Sequence, residues 1–84
     1  MSIKKEKIAG KMIDVAINSS SLKSASYDSL TENLIVTFNS GAMYKYAQVP
    51  MLVFTKFRLA KSQGQYFNKS ISPNFKFRKM RVKN

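Results

Sequence analysis

Lys76, Arg78, Lys79 and Arg81 crowd one end of the chain, and Lys45, Lys56, Arg58, Lys61 and Lys69 continue the cationic series through its middle. These side chains are phosphate ligands, Arg through a planar fork of donors and Lys as a compact point charge. The 84 residues hold 15 lysines and arginines against 4 carboxylates, Glu6, Asp14, Asp28 and Glu32, for a net charge of +11. That balance calls for a polyanionic partner, a nucleic acid first and an acidic protein surface second. Histidine and cysteine are absent, which removes thiol nucleophiles, disulfides, imidazole acid–base chemistry and zinc sites of the Cys/His kind. Ser19, Ser20 and Ser21 have no base to activate them and suit a turn or helix cap instead. The residues therefore lead to a binding protein with no catalytic residues, metal or cofactor.

A chain this short has one domain, and its 44% hydrophobic content suffices for one thin core. No apolar run approaches the roughly 18 residues of a membrane span, and the opening residues lack a signal peptide's apolar centre. A cytoplasmic location with no membrane contact is the expectation. Charge divides the chain into a basic arm (1–11), a modestly basic domain (12–75) and a basic tail (76–84). The alternation of aromatic and basic residues that begins at Asn74 reads as an edge strand or a clamp on nucleic acid, which leaves the tail either a free arm or a packed strand.

The elements that must position these cations are read from residue patterning. Met12 to Ile17 predicts a short strand, the serines a turn, and Leu22 to Tyr27 a weaker strand. Leu34-Ile35-Val36-Thr37-Phe38 is the clearest strand, closed by Asn39-Ser40-Gly41 as a hairpin before Ala42 to Ala47. Pro50 suits a helix start, and Met51 to Lys61 carries Val53, Phe54, Phe57 and Ala60 on one apolar stripe. Leu52 and Leu59 fall on another side, either as further core or as a protein interface. Ser62-Gln63-Gly64 breaks the helix, and Gln65 to Ile71 forms a short second one with Phe67 and Ile71 inward. The fold class is α+β: a small antiparallel β-meander of three or four strands packed on one main helix and one short one.

Two hairpin registers place Tyr44 and Tyr46 on opposite faces, because a one-residue slip reverses every side chain. A three-residue loop with Gly41 left-handed pairs Val36 with Tyr44 and Leu34 with Tyr46, which puts both rings in the core. A two-residue loop pairs Thr37 with Tyr44 and Ile35 with Tyr46, which frees the rings to stack on bases. The first register gathers the large side chains on one face and is preferred.

The order Asn18-Ser19-Ser20-Ser21, Ser26-Tyr27-Asp28, Phe38, Gly41, Tyr44-Lys45-Tyr46, Val49-Pro50, Ala60, Ser62, Gly64 and Tyr66-Phe67-Asn68 resembles the KTSC domain. That family is named for a C-terminal extension of some lysyl-tRNA synthetases and also occurs as stand-alone bacterial and phage proteins. The resemblance implies a β-meander with packed helices and, through its attachment to a tRNA enzyme, an RNA-binding role. It departs from the family pattern at Ser26, where Gly is usual, and at Ser72, where a basic residue is usual.

Charge and resemblance together predict a nucleic-acid-binding module, RNA before DNA, whose phosphate contacts come from the nine cations named at the outset. The alternative is a small adaptor or inhibitor, such as a phage product acting on a host protein, that docks through Leu52 and Leu59. Sequence leaves the oligomeric state open.

Overall fold

The computed structural model describes the backbone of residues 2–9 and 12–80 and the side chains of residues 12–80. Six strands follow one another in a single antiparallel sheet: β1 (Ser2–Ala9), β2 (Met12–Asn18), β3 (Leu22–Asp28), β4 (Asn33–Phe38), β5 (Met43–Tyr46) and β6 (Phe77–Met80). Between β5 and β6 the chain forms α1 (Met51–Leu59), then α2 (Gln63–Tyr66), which widens into a π-helical turn over Phe67–Ile71. The α+β class and the meander are as expected, but among the described residues the sheet has six strands rather than three or four. The extra two come from the termini. The stretch expected as a basic arm pairs with β2 over Ser2–Ala9, and the basic tail pairs with β5 over Phe77–Met80. Backbone donors and acceptors at a sheet edge are satisfied by pairing whatever side chains they carry, so a charged segment can still be a strand.

Burial follows the two-residue period. Ile13, Val15 and Ile17 of β2 and Leu34 and Val36 of β4 point to the helices. In β3 the buried residues are Leu22, Ala25 and Tyr27, and a register shift between Leu22 and Ser24 absorbs the odd spacing. Helix α1 contributes Phe54 and Phe57, both fully buried, and the ring of Phe54 lies flat on Tyr27 with centroids 4.6 Å apart. The hairpin takes the three-residue loop: Gly41 sits at φ 97°, Phe38 pairs through its N–H with Ala42, and Val36 and Leu34 face Tyr44 and Tyr46.

The second helix begins earlier than the sequence suggests. Ser62 accepts from the Gln65 N–H at 3.3 Å, so Gln63 and Gly64 lie inside the helix rather than breaking it. Gln63 is buried because its amide donates to the Ala60 and Arg58 carbonyls, at 2.8 and 3.3 Å, capping the end of α1. A Cβ on Gly64 would lie 3.4 Å from the Ser19 hydroxyl, so the serine turn packs directly on this helix. Ser19 also accepts from the Ser21 N–H, the turn role expected of the three serines. Among the described residues no helix is long and apolar enough to cross a membrane.

Candidate nucleic-acid interface

Strand β6 brings the tail cations to the sheet. Its register sets Arg78 opposite Lys45, Lys79 opposite Tyr44, and Phe77 opposite Tyr46. Because side chains alternate along a strand, Lys45 and Arg78 share the sheet face turned away from the helices. The Ala47 N–H donates to the Lys76 carbonyl at 3.0 Å, which extends the pairing by one step. Lys45, Lys76 and Arg78 therefore converge on one groove of about 400 Å³, completed by Asn33, Ala47 and Phe77.

The electrostatics of this groove are one-sided. All three cations are exposed, and among the described residues no carboxylate lines the groove. Like charges directly opposite each other across a strand pair lower stability, so the Lys45 and Arg78 placement carries a cost. An anion between them reverses its sign. Two or three exposed cations on one groove are donors that phosphate oxygens can accept from.

The remaining cations are distributed elsewhere. Lys79 lies in register with Tyr44, on the helix side of the edge strand. Lys69 is exposed on the π-helical turn, Lys56 is exposed on α1, and Lys61 is exposed just beyond it. Arg58 is half-buried, with its guanidinium 5.8 Å from the centre of the Phe54 ring. Arg81 lies outside the described residues. Of the nine expected ligands, then, the fold gathers Lys45, Lys76 and Arg78 into one groove. Leu52 and Leu59 are 63% and 76% exposed, which settles them as surface rather than core.

The two tyrosines separate. Tyr46 is buried, and burial raises its hydroxyl above the usual tyrosine range, an effect partly offset by a hydrogen bond with Ser72 and reinforced by Tyr44. Tyr44 is only half-buried, although its register points it to the helix side. The helices end before they cover that corner of the sheet. The alternation of aromatic and basic residues in Phe75-Lys76-Phe77-Arg78 marks an edge strand or a clamp, and β6 is that strand, but Phe77 is not among the expected site residues, and nothing local marks Asn33.

Comparison with known proteins covers most of this architecture. The profile of the KTSC domain family matches residues 18–75. The lysine–tRNA ligase of Trichormus variabilis is 39% identical over 59 residues, 70% of this chain, and that match spans only 10% of the ligase. An uncharacterised protein of Stutzerimonas stutzeri is 44% identical over 59 residues, 70% of this chain and 83% of its own length. The crystal structure of a KTSC domain protein from Yersinia pestis superposes with a TM-score of 0.78 at 30% identity, covering 82% of this chain and 97% of that one.

Proposed function

The chain belongs to the KTSC domain family, and from that premise we propose that it is a non-catalytic nucleic-acid-binding module that holds phosphates in the groove between β5 and β6. The observation that carries the reading is Lys45 directly opposite Arg78, with Lys76 on the same groove and no acid among its described lining residues. RNA is favoured over DNA because some relatives carry the matching stretch within a lysine–tRNA ligase, an enzyme named for an RNA substrate.

The test is fluorescence anisotropy with a labelled single-stranded RNA over a salt series. Three neutralised phosphates give a slope of about 2 in log K against log salt, from ~0.7 per phosphate. An affinity that ignores salt excludes the phosphate mechanism, and no binding at ~50 mM salt excludes the function.

A second reading rests on α1. Met51, Leu52 and Leu59 are 40%, 63% and 76% exposed on one short helix, an apolar ridge of the sort that docks on another protein. Nuclease-resistant capture of one host protein, lost on Leu52→Asp and Leu59→Asp, favours this adaptor reading.

A further inference from the structure

On the helix side of the sheet, where α1 and α2 stop short, lies a second hollow of about 370 Å³ whose walls are mostly aromatic. Tyr44 and Phe77 stand 5.4 Å apart, and Phe38 meets both Tyr44 and Phe67 edge-on at 5.5 and 5.7 Å. Asn68 and Ser40, both exposed, bring an amide and a hydroxyl to the rim. A packed core would leave no such opening, and a stacking platform would lie flat on the sheet. This is neither. It is a recess of rings with polar groups at its mouth, the general form of a small-molecule or base pocket.

Phe77 decides what enters it. This residue lines both the aromatic hollow and the cationic groove, is 56% exposed, and has its ring centroid 5.4 Å from that of Tyr44 and 5.5 Å from that of Tyr46. The hollow and the groove therefore adjoin across one edge strand, with Lys79 in register beside Tyr44. A ligand that fits both has alternating anionic and planar aromatic parts joined by a flexible link.

We infer that the aromatic hollow receives one unstacked base of a single-stranded nucleic acid while the adjoining Lys45, Lys76 and Arg78 groove holds its phosphates. This rests on the nucleic-acid reading above and adds to it a separate contact. Stacking on aromatic rings is tolerant of base identity, and the Asn68 amide and Ser40 hydroxyl can bond a base edge. Double-stranded RNA keeps its bases paired and stacked, so the hollow selects single strands.

The experiment compares a labelled single-stranded RNA with an abasic oligonucleotide of equal length and phosphate number, each titrated with the full chain. The intact RNA should bind roughly 5- to 160-fold more tightly than the abasic strand, the worth of one stacked base, with the same salt slope. Phe77→Ala and Phe77→Leu should bring that ratio close to one. The leucine variant keeps apolar contact with the tyrosines, so it guards against simple loss of the fold. Equal binding of the two ligands by the wild-type protein, or a ratio that survives both Phe77 variants, overturns the base pocket and leaves the phosphate groove standing. If neither ligand binds at low salt, the pocket falls together with the nucleic-acid reading.

Discussion

The Tyr27 hydroxyl donates to the Val49 carbonyl at 2.6 Å in a fully buried bond between strand β3 and the segment that leads into α1. The Val49 N–H is held as well, donating to the Glu32 carbonyl at 2.9 Å. Both backbone groups of Val49 are thus tied to the β3–β4 end of the sheet, and this sets where α1 starts. Glu32 accepts that bond from a left-handed backbone position, φ 59°. Replacing Tyr27 by Phe keeps the stack on Phe54 but leaves a buried carbonyl unpaired, at a cost of about 1–3 kcal/mol. Urea unfolding should show a lower midpoint with an unchanged slope.

Alkaline unfolding should follow from the same residue. Burial, with Glu32 and Asp28 adding to it, raises the Tyr27 hydroxyl above the ordinary 10.0, and Tyr46 is raised as well. A raised value in the folded state means that the unfolded chain gives up its proton first. Stability is therefore fully present below pH 10 and falls as pH rises through the folded values. Tyr27→Phe and Tyr46→Phe should each make the decline above pH 10 shallower than in the wild type, measured by urea midpoints across pH 8 to 11. A decline of unchanged steepness in both would remove the tyrosines as its cause.

Tyr44 and Tyr46 should respond unequally to truncation. Tyr46 is 3% exposed and touches Phe67 and Phe77, so Tyr46→Ala should cost on the order of 3–5 kcal/mol. Tyr44 is half-buried on the wall of an open hollow, and Tyr44→Ala should cost less than half as much. Equal losses in calorimetry would mean that the hollow is closed in solution.

What sequence made legible was set by local chemistry. Gly41 needs no partner to favour a left-handed turn, so the hairpin loop, and with it the face of both tyrosines, could be read from Asn39-Ser40-Gly41. Strand β1 could not, because Ser-Ile-Lys-Lys-Glu-Lys-Ile-Ala has no two-residue hydrophobic period and is held by its pairing to β2. The groove was half visible. Its cations were plain in the composition, but their meeting depends on β6 returning beside β5 after the helices, a contact between distant segments. The half-burial of Tyr44 depends likewise on where the helices end, which no alternation along β5 encodes.

The Lys45 and Arg78 pair makes stability and binding move in opposite directions. Lys45→Ala should relieve cross-strand repulsion, leaving thermal stability unchanged or slightly higher, while weakening RNA binding. It should also reduce the salt slope by about 0.7, one phosphate contact. Arg78→Ala should do the same. Lys56→Ala, on α1 and away from the groove, serves as the charge-matched control and should change the slope less. If all three variants reduce affinity and slope equally, binding follows net charge and the groove has no special part in it.

Gln63 gives the sharpest test of a buried polar group in this fold. Its side-chain N–H groups donate toward the last carbonyls of α1, where the helix end is partly negative, and its own Oε1 has no partner among the described residues. Gln63→Ala removes the donor from carbonyls that water cannot easily reach and should cost about 1–3 kcal/mol at any pH. Gln63→Glu places a carboxyl among the same oxygens. The neutral acid can still donate one hydrogen bond, but the carboxylate is repelled by the carbonyl dipoles and loses its hydration. Its folded-state value must then rise above the ordinary ~4.3 of a glutamate. Stability relative to the wild type is therefore retained below that value and lost as pH rises, so the variant should be far weaker at pH 7 than at pH 4. Urea midpoints of both variants, each referred to the wild type at the same pH, give the comparison. A Gln63→Glu deficit that does not grow between pH 4 and 7 would show that the side chain reaches solvent and does not cap the helix.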